Sequence, residues 1–213
     1  MGGGAVEGAL RGRAGDGVRL IETLLWDGAR FPRLPLHLAR LARGAASLGF
    51  PCDPAAAERA LRAAVGALPL RVRLTLGVAG DIEVAVAPLP AGKAEWRVGL
   101  AAERLASDDP WLRVKTTRRA SYDAARASLP AGLDEVVFLN ERGEVCDGTI
   151  TTVFFDRGQG MRTPPLACGL LPGVLRAELA VPEEVLLADD LPQVRLWLGH
   201  ALRGLIPAVW SGK

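Results

Sequence analysis

Lys115, in the segment PWLRVKTTRRASYDAARAS (residues 110–128), is a candidate catalytic residue because of its side-chain type. Of the 26 basic residues only Lys93, Lys115 and Lys213 are lysines, and the other 23 are arginines. A guanidinium stays protonated under ordinary conditions, whereas a lysine amine can be desolvated, deprotonated and used as a nucleophile or a base. A covalent imine with a carbonyl compound therefore requires lysine. The alternative is a structural lysine whose stem packs on apolar neighbours.

Asp147 is a second candidate, because it interrupts the apolar and β-branched run CDGTITTVFF (residues 146–155). A carboxylate that enters the core at this point is costly unless a cation or a hydrogen-bond donor meets it. The other interpretation is that Asp147 and Gly148 form a surface turn.

The segment PPLACGLLPGVLRAELA (residues 164–180) is rich in proline and glycine before a short helix that is expected to begin at Val174. Backbone N–H groups at a helix start favour an anion such as phosphate. A lysine for an imine, a carboxylate for a pyridinium nitrogen and an anion site for a phosphate are the three contacts that pyridoxal 5′-phosphate requires. Together these features indicate a pyridoxal phosphate site.

Length and composition limit the classes of protein that remain. With 213 residues, 49% hydrophobic and 23% charged, the chain can form one large domain or two small ones. A net charge of +2 and the lack of a basic face interleaved with aromatic residues argue against nucleic-acid binding. No apolar run reaches the roughly 20 residues that span a bilayer, so no membrane partner is expected.

The three cysteines and the N-terminal segment carry further expectations. Cys52, Cys146 and Cys168 form no CxxC pair, which argues against a zinc site or a disulfide framework and favours buried thiols in a reducing cytoplasm. The first 17 residues, MGGGAVEGALRGRAGDG, contain no apolar signal-peptide core and are expected to be a flexible lead.

Hydrophobic patterning predicts an α+β first half, a linker rich in proline and glycine, and a second half richer in strands. The first half comprises a strand at 18–26, a helix at 36–48, a second helix opened by Pro54 over 55–68, and a hairpin at 70–87. After the linker at 88–95, we predict a strand at 96–105, a helix at 122–128, a hairpin at 135–156 that turns at 140–143, and the helix from 174.

Five segments, in this order along the chain, resemble the class IV aminotransferase family: HLARL (37–41), KTTRRASYD (115–123), NERGEVCDGTITTVFF (140–155), TPPLACGLLPGVLR (163–176) and LGHALRGLIPA (198–208). The resemblance implies pyridoxal 5′-phosphate as cofactor and the two-domain α/β (α+β) fold of D-amino-acid aminotransferases, fold type IV. It also implies a small α+β domain at 1–90, a larger β-barrel-like domain at 91–213 that binds the cofactor with it, and a homodimer.

The resemblance assigns roles to three charged residues. Lys115 matches the lysine that carries the cofactor covalently and later moves the α proton of the substrate. Arg40 matches the arginine that binds the cofactor phosphate. Asp147 stands where the family usually has a glutamate that faces the pyridine nitrogen; because aspartate is one methylene shorter, its reach requires a small backbone shift or a bridging water.

Four further residues receive roles from the same resemblance. The backbone amides of Val174 and Leu175 match those that hold the phosphate, and His200 matches a Thr or Asn that completes the phosphate pocket. Thr23 is expected to face the substrate, whereas His37 is expected to be structural.

The activity stays open between three alternatives. The hairpin RLTLGVAGDIEVAV (73–86) is short and lacks the arginine-bearing loop that receives a substrate carboxylate in D-amino-acid and branched-chain aminotransferases. The chain is most similar to the branch of the family that acts as 4-amino-4-deoxychorismate lyase, which gives 4-aminobenzoate and pyruvate in folate biosynthesis. The alternatives are an aminotransferase acting on a branched-chain or D-amino acid, and a relative that binds the cofactor without catalysis.

Overall fold

The computed structural model describes residues 10–12, 14, 15 and 17–212. Within these residues the chain divides into two compact units. The first contains the residues up to Ala91 together with a returning segment, Val114–Arg118, and the second contains Gly92–Arg113 and the residues from Arg119 onward. Most of the expected flexible lead lies outside the described residues, although Leu10 within it is fully buried.

An antiparallel sheet in the order β1-β2-β3 forms the centre of the first unit, with two helices packed on it. Leu24, Val72 and Leu74 alternate with more exposed residues along β1 and β2, so one face of the sheet is buried. The elements are β1 Leu20–Trp26, α1 Leu34–Leu48, α2 Pro54–Ala63, β2 Leu70–Leu76 and β3 Ile82–Pro88.

Local signals set the helix ends in this unit. Gly49, in the left-handed region at φ 77°, closes α1 by donating its N–H to Ala45, and the Asp53 side chain accepts the Ala55 N–H at the start of α2. The second helix is shorter than expected, ending at Ala63. Gly66 disfavours continuation, and its carbonyl accepts the Trp26 indole N–H at 2.7 Å instead.

The returning segment pairs with the edge of β1. Ile21 donates its N–H to the Lys115 carbonyl at 2.9 Å, and Thr117 donates its N–H to the Arg19 carbonyl at 2.9 Å. Between these bonds Leu20 and Thr116 form an antiparallel bridge. The segment that carries the lysine is therefore part of the first unit, although the chain leaves that unit at residue 91 and returns only for these few residues.

A closed barrel in the order β4-β5-β6-β7-β8-β9 forms the second unit within the described residues. β4 pairs in parallel with both β5 and β9, and the other pairs are antiparallel. Side chains that fill the barrel include Val98, Val137, Val153, Phe155 and Leu198. The elements are β4 Trp96–Leu105, α3 Ala120–Ala127, β5 Glu135–Asn140, β6 Val145–Gly148, β7 Thr152–Asp156, α4 Val174–Leu179, β8 Arg195–His200 and β9 Gly204–Trp210.

The segment after the 140–143 turn differs from the expected second strand of a hairpin. The turn itself is confirmed, since Gly143 donates its N–H to the Asn140 carbonyl at 3.1 Å. Residues 145–156, however, form two strands, β6 and β7, because the chain reverses at Gly148, whose N–H bonds the Thr151 carbonyl at 2.8 Å. The expected α+β architecture with a barrel-like second part is otherwise confirmed.

Several classes of feature are lacking in the described part of the chain. No helix there has both the length and the apolarity to cross a membrane. No group of three or more His, Cys, Asp or Glu side chains among the described residues is arranged to hold a metal ion. Cys146 and Cys168 are buried free thiols, as expected, while Cys52 is half-buried.

Candidate functional site

A buried ionic cluster in the first unit joins β1 to α1. Arg40 donates to both carboxylate oxygens of Glu22, from Nε to Oε1 at 2.8 Å and from Nη2 to Oε2 at 2.6 Å. His37 lies one turn earlier on α1, with Nδ1 2.6 Å from Glu22 Oε2. The residues are between 2% and 9% exposed. Arg40, expected to bind phosphate, thus has a carboxylate partner that the sequence interpretation did not assign.

The charges in this cluster determine which of its groups are protonated. Burial acts to raise the pKa of Glu22, but the charge of Arg40 and the hydrogen bonds from His37 and Arg40 outweigh it and hold that pKa at about 2. Burial lowers the pKa of His37 below its ordinary value, against the opposing effect of Glu22. A neutral His37 with its proton on Nδ1 therefore donates to an ionised Glu22.

Lys115 lies in the same unit, half-buried, and its position is set by its backbone. Its neighbour Val114 packs with Leu20 against α1 at Gly44, where a Cβ would come within 2.8 Å of the Leu20 side chain. The charge of Lys115 also acts to lower the pKa of His37. Lys115 and Arg40 both belong to the first unit.

The face of the sheet opposite to Glu22 carries Thr23, Leu25, Arg71 and Arg73, and we call it the Thr23 face. Thr23 is directly opposite Arg73 on β2, and Leu25 is opposite Arg71, so each pair of side chains shares this face. Alternation about the Leu20–Thr116 bridge puts Lys115 on the same face. Both arginines are exposed, whereas Thr23 is half-buried.

Asp147 lies at the end of β6 in the second unit, and its side chain is buried rather than on a surface turn. Its Oδ2 accepts the backbone N–H of Leu171 at 2.8 Å. Across the strand it pairs with Thr152, the first residue of β7. The carboxylate is therefore fixed by the loop that leads into α4 and by the barrel wall.

The start of α4 and the end of β8 lie together in this unit. A Cβ on Gly173 would meet the Thr152 hydroxyl at 2.7 Å, and a Cβ on Gly199 would meet the Leu175 side chain at 2.6 Å. Both glycines thus permit close approach of the helix to the barrel. Val174 and Leu175 are buried; their amides lie in the first turn, where no intrahelical acceptor exists.

His200 is half-buried at the end of β8, immediately after Gly199. Its Nδ1 accepts the backbone N–H of Leu202 at 3.3 Å, and its ring lies 6.3 Å from that of Trp96. The imidazole Nε2 is therefore the nitrogen that carries the proton in the neutral side chain.

The predicted site residues thus form two groups, each within one unit. Lys115, Arg40 and Thr23 belong to the first, and Asp147, Val174, Leu175 and His200 to the second. The sequence interpretation missed Glu22 and left His37 as structural. A signal for both was present, since Glu22 occupies an alternating apolar position of β1 and His37 shares a helical face with Arg40 at i,i+3.

The chain belongs to the amino-transferase class IV family, whose model matches residues 19–209. Members of this family are pyridoxal phosphate-dependent aminotransferases and lyases, so the expectation of an enzyme of this class is confirmed. The match covers the elements that carry both groups of site residues.

Similar proteins include both aminotransferases and lyases. A candidate aminodeoxychorismate lyase of Schizosaccharomyces pombe is 35% identical over 167 residues, which are 75% of this chain and 72% of that protein. The structure of a candidate amino-acid aminotransferase from Mesorhizobium loti is 45% identical with a TM-score of 0.86, and the match covers 91% of this chain and 99% of that one. The 4-amino-4-deoxychorismate lyase from Pseudomonas aeruginosa is 25% identical with a TM-score of 0.75, covering 90% and 82%.

The residues present fit a pyridoxal phosphate cofactor in their chemistry. Lys115 is an amine on a segment fixed by its backbone, and Asp147 is a buried carboxylate suited to a protonated ring nitrogen. The first-turn amides of α4 in the second unit are donors suited to a phosphate, and the guanidinium of Arg40 in the first unit is a group of the same kind, although its Nε and Nη2 donate to Glu22. Substitution of glutamate by Asp147 keeps the acid that this role requires.

The ionic cluster predicts an acid-sensitive stability that depends on Glu22. Because the pKa of Glu22 falls from its ordinary 4.5 to about 2 on folding, its contribution is complete above about pH 4.5 and is lost as the pH falls toward 2. We compare Glu22→Gln with its parent by urea unfolding, both in a His37→Asn background so that no imidazole titrates at this position. Because the charge of Arg40 still favours the ionised carboxylate, the stability advantage of the parent should shrink as the pH falls from about 5 toward 2; an advantage that stays constant would contradict the assigned ionisation.

Proposed function

We propose that this chain is a pyridoxal phosphate-dependent lyase that converts 4-amino-4-deoxychorismate to 4-aminobenzoate and pyruvate. The observation that carries the proposal is the Thr23 face, which places Arg71 and Arg73 on the side of the sheet that carries Lys115. The substrate has two carboxylates, one retained in each product. A face with two cations beside the reactive lysine suits such a dianion better than an aliphatic amino acid.

The neighbours of the two arginines support this role. Across the sheet, Arg73 lies between Thr23 and Ala85, and Arg71 lies between Leu25 and Ala87. None of these four neighbours is acidic, so the directly opposed residues do not neutralise the guanidinium groups. Arginine is also the side chain best suited to a carboxylate, because its planar fork donates two parallel hydrogen bonds.

The short connection between β2 and β3 is a second point in favour. Gly77 and Asp81 close it, with the Gly77 N–H bonded to the Asp81 carbonyl at 2.9 Å. The arginine-bearing excursion that the family resemblance associates with aminotransferases is missing from this described hairpin. A carboxylate-binding residue of the first unit must then come from the strands, and Arg73 is the one opposite Thr23.

Each site residue has a role in holding the cofactor or moving a proton. Lys115 would hold pyridoxal phosphate covalently and, once released, take the proton from the amine-bearing carbon of the substrate. Asp147 would keep the ring nitrogen protonated. Arg40, the amides of Val174 and Leu175, and His200 would hold the phosphate. When bound, the cofactor draws electrons from the carbon that loses its proton.

The net reaction balances without an oxidant or a second substrate. The C–H bond at the amine-bearing ring carbon breaks, with Lys115 as the base, and the C–O bond to the enolpyruvyl group breaks as the ring becomes aromatic. The released enolpyruvate gains a proton on its methylene carbon and becomes pyruvate. Formation of the aromatic ring provides a strong driving force toward products.

An amino-acid aminotransferase is the second candidate. It is favoured by the 45% identity to the Mesorhizobium loti protein, which this chain covers almost completely. Its early proton transfer would use the same lysine, but it would return the proton to the cofactor carbon and require a keto acid to complete the cycle.

The two activities differ in their products and in their need for a keto acid. We expect the purified chain, supplied with pyridoxal phosphate and aminodeoxychorismate, to release 4-aminobenzoate and pyruvate in equal amounts without an added keto acid. 4-Aminobenzoate is followed by its fluorescence and pyruvate by coupling to lactate dehydrogenase. Turnover that occurs only with an amino acid and a keto acid would replace the lyase by the aminotransferase.

Arg73 should affect substrate binding more than the later chemical steps. We expect Arg73→Ala to raise KM about 10- to 100-fold through the loss of a charged hydrogen-bonded contact, with kcat less affected. Arg59→Ala on α2, where the arginine is 70% exposed and lies near Asp53, is the matched control and should leave KM unchanged. Equal KM values for the two variants would exclude Arg73 from the substrate site.

A further inference from the structure

A buried glutamate in the second unit has a different set of partners from the cofactor residues. Glu135, the first residue of β5, is 0% exposed. Its Oε1 accepts the Thr149 hydroxyl at 2.6 Å and its own neighbouring Val136 N–H at 3.1 Å. Its Oε2 accepts the Ile150 N–H at 3.3 Å and the Thr151 hydroxyl at 3.2 Å. Three consecutive residues of one turn therefore donate to a single carboxylate.

This turn directly follows Asp147. Gly148 reverses the chain by donating its N–H to the Thr151 carbonyl at 2.8 Å, and Thr152 then pairs back with Asp147. A Cβ on Gly148 would meet the Thr151 hydroxyl at 2.2 Å and the Glu135 side chain at 3.1 Å. Glu135 thus packs against the turn and also accepts hydrogen bonds from it. The strand that carries Asp147, β6, ends at this turn, and β7 begins after it.

A second charged residue, Arg119, donates a hydrogen bond to a carbonyl of the same turn. Arg119 donates from Nη2 to the Thr149 carbonyl at 2.9 Å, and its Nε donates to Asp123 at 2.7 Å. Thr149 therefore gives its hydroxyl to Glu135 and its carbonyl to Arg119. The turn is fixed from two sides by groups of opposite charge, and a shift of the backbone would strain both contacts.

A carboxylate is the group that this arrangement requires. Both oxygens of Glu135 face a backbone N–H, from Val136 on one side and from Ile150 on the other. An amide in this place has only one acceptor oxygen, so its NH2 would oppose one of the two N–H groups in either orientation. A buried N–H left without an acceptor is costly, and the turn can relieve that cost only by moving.

We propose that Glu135 is a positioning residue, which through the 148–151 turn fixes Asp147 in the place where it meets the ring nitrogen of the cofactor. This inference rests on the proposed function, because it assigns that contact to Asp147. Glu135 itself touches neither cofactor nor substrate in this proposal. Its effect is transmitted by the turn that connects β6 to β7.

The test compares Glu135→Gln with Asp156→Asn in the full chain. Asp156 is the matched control because it is a buried carboxylate at the far end of β7, where it accepts the N–H groups of Gly158 and Gly160. We expect Glu135→Gln to raise the Kd for pyridoxal phosphate about tenfold and to shift the absorbance maximum of the bound cofactor. Asp156→Asn should change neither, whatever it does to stability.

Hydrogen exchange followed by mass spectrometry reports on the turn without the cofactor. Amides of residues 147–152 should exchange faster in Glu135→Gln than in the parent chain, and as slowly as the parent in Asp156→Asn. The milder pair Thr149→Val and Thr149→Ser covers the case in which Glu135→Gln does not fold. Thr149→Val should weaken cofactor binding in the same direction, and Thr149→Ser, which keeps the hydroxyl, should restore it.

The outcomes separate the two levels of the proposal. A parent chain that binds no pyridoxal phosphate overturns the proposed function, and the positioning role with it. The positioning role alone is overturned if the parent binds the cofactor and both Glu135→Gln and Thr149→Val have the same Kd and absorbance spectrum as the parent. Equal losses in Thr149→Val and Thr149→Ser would also overturn it, because the hydroxyl would then be irrelevant.

Discussion

Two backbone hydrogen bonds, from Ile21 to the Lys115 carbonyl and from Thr117 to the Arg19 carbonyl, set the position of Lys115 in the first unit. They attach a returning segment of the chain to β1, the strand that also carries Glu22 and Thr23. The segment is held by its main chain and by the packing of Val114 near Gly44. Main-chain hydrogen bonds and the packing of Val114 therefore position the residue that is proposed to bind the cofactor.

Buried carboxylates organise both units, but they do so through different partners. Glu22 is matched by a guanidinium and an imidazole, so it fixes the orientation of Arg40 through charge. Glu135 accepts its hydrogen bonds from hydroxyl and backbone N–H groups, including three residues of one turn, while the Arg126 guanidinium lies 3.5 Å from its Oε1. Burying a carboxylate costs free energy unless cations or hydrogen-bond donors contact it. Removing one member of such a buried pair leaves the other buried without its partner, which destabilises the fold.

Much of this arrangement could be predicted from local patterns. The alternation in 70–87 predicted the β2–β3 hairpin, and the turn residues at 140–143 predicted the reversal after β5. The division of 145–156 into two strands was not predicted, because the run of apolar and β-branched residues gives no sign of the reversal at Gly148 or of the contacts that the turn makes with Glu135 on another strand. The parallel pairing of β4 with β5 and β9 could not be predicted either. Local periodicity indicates which face of a strand is buried, but not which strands lie next to it.

Among the site residues, the sequence supplied identities but not partners. Lys115 and Asp147 were predicted as site residues because each is a chemical exception in its context, and the structure shows that Asp147 is buried. The buried position of Glu22 in β1 was readable from the alternation, but nothing local to that strand identifies Arg40 as its partner. Arg119, which bonds the Thr149 carbonyl from a site 30 residues earlier, is a similar case.

The central claim is that Lys115 is the residue to which the cofactor becomes attached, and reductive trapping tests it most directly. The purified chain is incubated with pyridoxal phosphate, reduced with borohydride and cleaved after arginine, which releases residues 114–118 as one peptide. Mass spectrometry should find the phosphopyridoxyl group on that peptide and none on the peptide that contains Lys93. A label on Lys93 with Lys115 unmodified, or no label on either lysine, would contradict the claim.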